Sequence, residues 1–150
     1  MASGKGHLVG GAVFLWLFLI VLSNYFFVPS PMETVLYSAI VILFSVWPDV
    51  DISSIGQKIF YSIFFITDAI LIFYFNDHTS AAYFGLLIIL PVLAKHRGWT
   101  HWRITAIILP LPIIIAPMYI YGGTIIEGIP FYCAAVTGYF SHLFFDGELF

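Results

Sequence analysis

Hydrophobic residues run through this chain in long blocks rather than at the intervals of an amphipathic helix or strand. The blocks cover roughly residues 8–28, 32–47, 59–75, 80–94, 104–121 and 129–145, with short polar stretches between them. Segments such as Ile63-Phe64-Phe65-Ile66 and Ile113-Ile114-Ile115 have no polar face, so helices built from them suit lipid rather than water. Six blocks predict about six spanning helices in an all-α, polytopic transmembrane bundle, a single integral-membrane domain over residues 1–150. Several blocks are shorter than the roughly 20 residues of a full crossing, which predicts a locally thinned bilayer or recessed helix ends. The first block follows Lys5 as a secretory signal would, but it is long enough to span and no small-residue cleavage pattern follows, so it reads as a retained helix. Pro110, Pro112 and Pro117 predict a kinked fifth helix, with Pro91 in the fourth. Gly6 and Gly10 form one G-x-x-x-G, a weak cue to close packing.

Composition sharpens this picture. The chain is 61% hydrophobic and 9% charged, against roughly 25% charged for an ordinary soluble domain. No basic stripe lies away from the apolar blocks, so nucleic-acid binding is not suggested. The net charge of −3 matters less than where the charges fall. Threading six crossings places Lys5, Lys58, Lys95, Arg97 and Arg103 on one side, while the loops at 29–33, 76–79 and 122–127 carry no lysine or arginine. The positive-inside bias makes the basic side cytoplasmic, with both termini there, in a cell (inner) membrane. Cys133, the lone cysteine, sits in an apolar run and is expected to be a small core residue.

The same threading sorts the chemistry. His7, Asp49, Asp51, His96, His101, His142 and Asp146 all come to the cytoplasmic end, and of the five histidines only His78 goes to the other. Pro48 disfavours helix at Trp47, and extended backbone beyond it would aim Asp49 and Asp51 to the same side; the ordinary alternative is a polar loop in which Asp51 or Ser53 caps the next helix. His142 and Asp146 are four apart and share a helical face. His96 and His101 diverge on a regular helix, so both can reach one site only if the chain bends, as Gly98 permits. The ordinary reading of that stretch is a hinge with Trp99 and Trp102 at headgroup level and Lys95, Arg97 and Arg103 on lipid phosphates. Seven nitrogen and oxygen ligands exceed the four of a tetrahedral zinc. They suit two or more divalent ions, or one with outer partners, and zinc, manganese or iron as the metal.

An early histidine, then Pro-Asp-Val-Asp (48–51), then His-Arg-Gly-Trp-Thr-His (96–101), then His-Leu-Phe-Phe-Asp (142–146) resembles the LexA-regulated, inner-membrane predicted metal-dependent hydrolases. The resemblance implies a bound metal, zinc foremost, and a hydrolase with a phospholipase-like site. Two departures stand out: Trp102 follows His101 where a small serine is usual, and the sequence stops four residues after Asp146 where the family continues with a Thr- and Gly-containing tail.

The functional expectation is a metal-dependent hydrolase at the cytoplasmic headgroup level, with membrane lipids around it and a phosphoester such as a lipid headgroup as substrate. Asp49 or Asp51 is expected to act as base and Arg97 as the anion clamp. The alternative is a metal-ion or small-solute transporter without hydrolytic activity, in which Asp68, within the third block, is an intramembrane station. On the ordinary reading Asp68 instead hydrogen-bonds to a Thr or Tyr of a neighbouring helix.

Overall fold

The computed structural model describes residues 4–92 and 98–148, and no strand occurs among them. Seven helices follow in order: α1 (Gly4–Tyr25), α2 (Pro31–Val46), α3 (Ile55–Phe73), α4 (His78–Val92), α5 (Arg103–Ile108), α6 (Pro112–Tyr121) and α7 (Ile125–Asp146). Two short 3-10 turns, Trp47–Asp51 and Trp99–His101, precede α3 and α5. Each expected apolar block therefore contains helix, and the fifth is divided. Three segments among the described residues, Gly4–Tyr25, Pro31–Asp51 and Ile55–Phe73, are each long and apolar enough to cross a membrane.

Local chemistry sets the boundaries. Ser30 caps α2 in a reciprocal box: its hydroxyl accepts from the Glu33 amide, and the Glu33 carboxylate accepts from the Ser30 amide at 2.8 Å. At the start of α7 the Glu127 carboxylate accepts from the Thr124 amide at 3.3 Å and from its hydroxyl at 3.1 Å. Pro110 and Pro112 lack the N–H groups that would carry one helix through. The chain turns instead on three-residue bonds from Leu111 to Ile108 and from Ile113 to Pro110, which is the physical form of the kink.

At the centre of the bundle, α7 packs along α2 and also contacts α1 and α6. A side chain on Gly138 would put its first carbon 2.3 Å from the Val41 carbonyl oxygen, so glycine is what lets α7 and α2 approach this closely. Gly10 similarly makes room on α1 for the Phe145 ring. Two apolar cores result: Leu22, Tyr37, Val41 and Ala134 in one, Trp47, Val50, Phe60, Ala106, Tyr139 and Leu143 in the other. The outer surface carries large apolar side chains such as Val13, Trp16, Phe65, Phe73 and Leu86. A water-facing surface would not sustain so many. Cys133 is exposed on that surface, not in the core as its apolar neighbours suggested.

Asp68 also departs from expectation. Among the described residues its buried Oδ1 has no hydrogen-bond partner, and Asp68 lines a cavity of about 360 Å³ shared with His78, Ala81 and Gly85.

Candidate metal centre

Four segments meet at one end of the bundle, each bringing one or two ligand-type side chains. The first is α1, where His7 is buried near the helix start. The second is the turn after α2. Helical backbone continues through Trp47 (φ −62°, ψ −40°) into the 3-10 turn Trp47–Asp51, so the extended conformation expected beyond Pro48 does not occur. Proline is tolerated there because a first-turn residue has no amide bond to lose. With three residues per turn, side chains two apart point about 120° away from each other. Asp49 therefore turns inward to the histidines, and Asp51 is not part of the group whose ligand atoms converge.

Ser54 secures that turn. Its hydroxyl donates to the Asp49 carbonyl at 2.7 Å and accepts from the Gln57 amide at 3.0 Å. The cap of α3 is thus Ser54 rather than Asp51 or Ser53, and it ties the Asp49 backbone to α3.

The third contribution comes from the turn Trp99–His101, which buries His101. Gly98, which precedes the turn, has non-helical backbone angles (φ −77°, ψ −140°). Trp99 is half-buried and packs on Trp47 with ring centroids 6.0 Å apart, while Trp102 is exposed. Behind the turn, the Tyr139 hydroxyl donates to the Thr100 carbonyl and the Thr105 hydroxyl to the Trp99 carbonyl. Arg103 donates to the Glu148 carbonyl at 3.2 Å.

Helix α7 makes the fourth contribution, His142 and Asp146 on one face. His142 Nδ1 lies 2.9 Å from the Ser45 carbonyl oxygen. A carbonyl only accepts, so Nδ1 carries the proton and Nε2 presents its lone pair to the cluster, the arrangement that orients metal-ligating imidazoles. The His7 ring stacks on His142 with centroids 3.8 Å apart.

Between these segments the two carboxylates face all three imidazoles. Asp49 Oδ1 lies 3.7 Å from His101 Nε2 and 3.6 Å from His142 Nε2, and its Oδ2 lies 3.8 Å from His7 Nε2. Asp146 repeats the pattern: Oδ2 is 4.0 and 3.7 Å from His101 and His142, and Oδ1 is 3.3 Å from His7. Ligand atoms of Asp49, His101, His142 and Asp146 all lie within 4.8 Å of one another.

These residues fit a divalent metal on two observations. Separations of 3.6 to 4.0 Å are too long for good hydrogen bonds, yet they are near the spacing of ligands around one ion, about 3.3 Å for a tetrahedral zinc with bonds of about 2.0 Å. Secondly, His7 Nε2 and His142 Nε2 are buried without a hydrogen bond among the described residues, a costly condition that a metal bond relieves. Each carboxylate turns one oxygen to the His101 and His142 pair and the other to His7, so both aspartates would hold a divalent metal together with the imidazoles.

Of the seven expected ligands, the structure brings together His7, Asp49, His101, His142 and Asp146. His96 and Arg97 lie outside the described residues. Tyr139, Ser45 and Ser54, which brace the cluster, were not singled out from the sequence. For Tyr139 the only linear hint is its place three residues before His142, about one helical turn away.

A family model described as YdjM inner membrane protein matches residues 1–147. No curated protein and no solved structure matches the chain.

Proposed function

The chain belongs to the YdjM inner membrane protein family, and on that premise we propose that it is a metal-dependent hydrolase acting on a phosphoester at the cytoplasmic headgroup level. The observation that carries this reading is the buried convergence of His7, Asp49, His101, His142 and Asp146 on one another. In this proposal the chain makes six crossings with both termini cytoplasmic, as the one-sided lysines and arginines support.

The three imidazoles and two carboxylates would hold two divalent ions, zinc foremost. Bound there, such ions supply an acidified water and polarise a phosphoryl or acyl oxygen. The chain's own residues do the rest. His142 is held in one tautomer by the Ser45 carbonyl, and His101 is held by its braced turn. The Asp49 side chain is 11% exposed against 1% for Asp146, and it lines the cavity that opens over the cluster. Asp49 is therefore the more accessible of the two ligand carboxylates to a water or substrate in that cavity.

Transport is less well supported. Between the two ends, Leu22, Tyr37, Val41 and Ala134 are closely packed, and Tyr37 and Val41 are almost wholly buried. Asp68 and His78 share a cavity of their own rather than one with the cluster.

The test is elemental analysis of purified protein for zinc, manganese and iron, together with release of phosphate or headgroup from phospholipid and from a soluble phosphodiester. Stoichiometric metal with turnover that a chelator abolishes is the expected result. Metal-free wild-type protein would remove the premise, and bound metal without turnover would favour metal handling.

A further inference from the structure

A cavity of about 400 Å³ opens beside the cluster, and its walls differ in character. One wall is formed by Asp49 and Asp146. Another is the start of α3, with Ser53, Ser54 and Lys58, and Ile52 and Ile55 supply an apolar lip. We infer that this cavity is the substrate site and that Lys58 anchors the anionic phosphate group of the substrate beside the metal centre. The inference rests on the metal-centre reading for the sign of the local field.

Two buried carboxylates alone would repel an anion, but the two divalent ions proposed for the centre would outweigh them and turn the cavity positive. Lys58 is the only cationic residue among the described residues that line it. Its side chain is exposed and enters no ion pair or side-chain hydrogen bond among those residues, so the ammonium is available to a ligand. It also stands in the first turn of the 19-residue helix α3, where the helix dipole adds to the attraction for negative charge. Ser54 cannot share the role, because its hydroxyl already donates to Asp49 and accepts from Gln57. The volume is within the range of small-ligand sites, about 300 to 1,000 Å³. A phosphate group with an apolar neighbour, lodged between Lys58 and the lip of Ile52 and Ile55, matches these walls.

The experiment titrates inorganic phosphate calorimetrically into full-length protein in detergent, both metal-loaded and metal-stripped, with bound metal measured on each sample. Wild type is compared with Lys58→Met and Lys58→Arg. Because Lys58 is exposed, neither change should disturb folding. Lys58→Met should weaken phosphate binding about tenfold or more, the effect of losing a charged hydrogen-bond donor, with metal per chain unchanged. Lys58→Arg should stay close to wild type. Equal phosphate affinity in wild type and Lys58→Met at normal metal content, or no phosphate binding by wild type in either form, overturns the anchor and leaves the metal centre standing. Wild type that takes up no metal overturns the metal centre instead, and Lys58-dependent phosphate binding in that protein would still uphold the anchor. A parallel titration with short-chain phosphatidic acid separates the sources: tighter binding than phosphate with the same Lys58 dependence assigns a lipid headgroup, and equal binding assigns a soluble phosphoester.

Discussion

The Tyr139 hydroxyl donates to the backbone carbonyl of Thr100, across 39 positions of sequence. Tyr139 stands one turn before His142 on α7, and Thr100 immediately precedes His101. One buried hydrogen bond thereby sets the distance between the two segments that supply those imidazoles.

Tyr139→Phe keeps the ring against Trp47 but leaves the Thr100 carbonyl unpaired in a buried position. We expect a stability loss of about 1 to 3 kcal/mol, with weaker metal retention because His101 is no longer held. Thermal unfolding in detergent, run beside competition with a graded chelator, separates the two effects. Unchanged retention of metal would mean that the bond is structural only.

The two aspartates of the Pro-Asp-Val-Asp stretch should behave differently. Asp49→Asn removes a carboxylate that faces three imidazoles, so bound metal should fall along with turnover, as it should in His101→Ala and His142→Ala. Asp51→Asn should leave metal content near wild type, because the 3-10 turn aims Asp51 elsewhere. Elemental analysis of the four variants decides the matter, and equal metal loss in both Asp variants would contradict the turn geometry.

Close helix contact makes a contrasting prediction for glycines. At Gly56 a side-chain carbon would lie 2.1 Å from the Val46 carbonyl oxygen, whereas at Gly85 nothing lies within 4 Å. Gly56→Ala should cost about 1 to 3 kcal/mol through overpacking. Gly85→Ala should leave stability unchanged or raise it by up to about 1 kcal/mol, through helix propensity. Melting temperatures of both variants in one detergent test the pair.

Asp68→Asn should keep turnover within a few-fold of wild type, since Asp68 shares a cavity with His78 that is separate from the cluster. Loss of turnover at intact metal content would instead make Asp68 part of a relay.

Topology is open to direct labelling. In a Cys133→Ser background, cysteines placed at Ser53 and Gly123 should react with an impermeant thiol reagent from opposite faces of the membrane. Labelling of both from the same face would overturn the threading.

The all-helical, membrane-type class and the gathering of metal-type residues at one end were legible from the sequence, because both are one-dimensional. Block length decides whether a helix can sit in lipid, and the number of crossings before a residue decides its side. His7, Asp49, His101, His142 and Asp146 needed no further information to be placed at a common end. Which of the candidates meet was a different matter. Asp49 and Asp51 are equivalent in a linear reading, and only the 3-10 turn that continues α2 separates them. Tyr139, Ser45 and Lys58 gained their parts from contacts that no local pattern encodes: a phenol reaching a distant carbonyl, a carbonyl fixing an imidazole proton, an amine lining a shared cavity. Side-chain direction depends on the rotation and depth of each helix against its neighbours, as where Gly138 lets α7 close on Val41. That packing is a property of the assembled bundle, so the sequence by itself determined the fold class and the end at which the site lies, and the tertiary structure decided its membership.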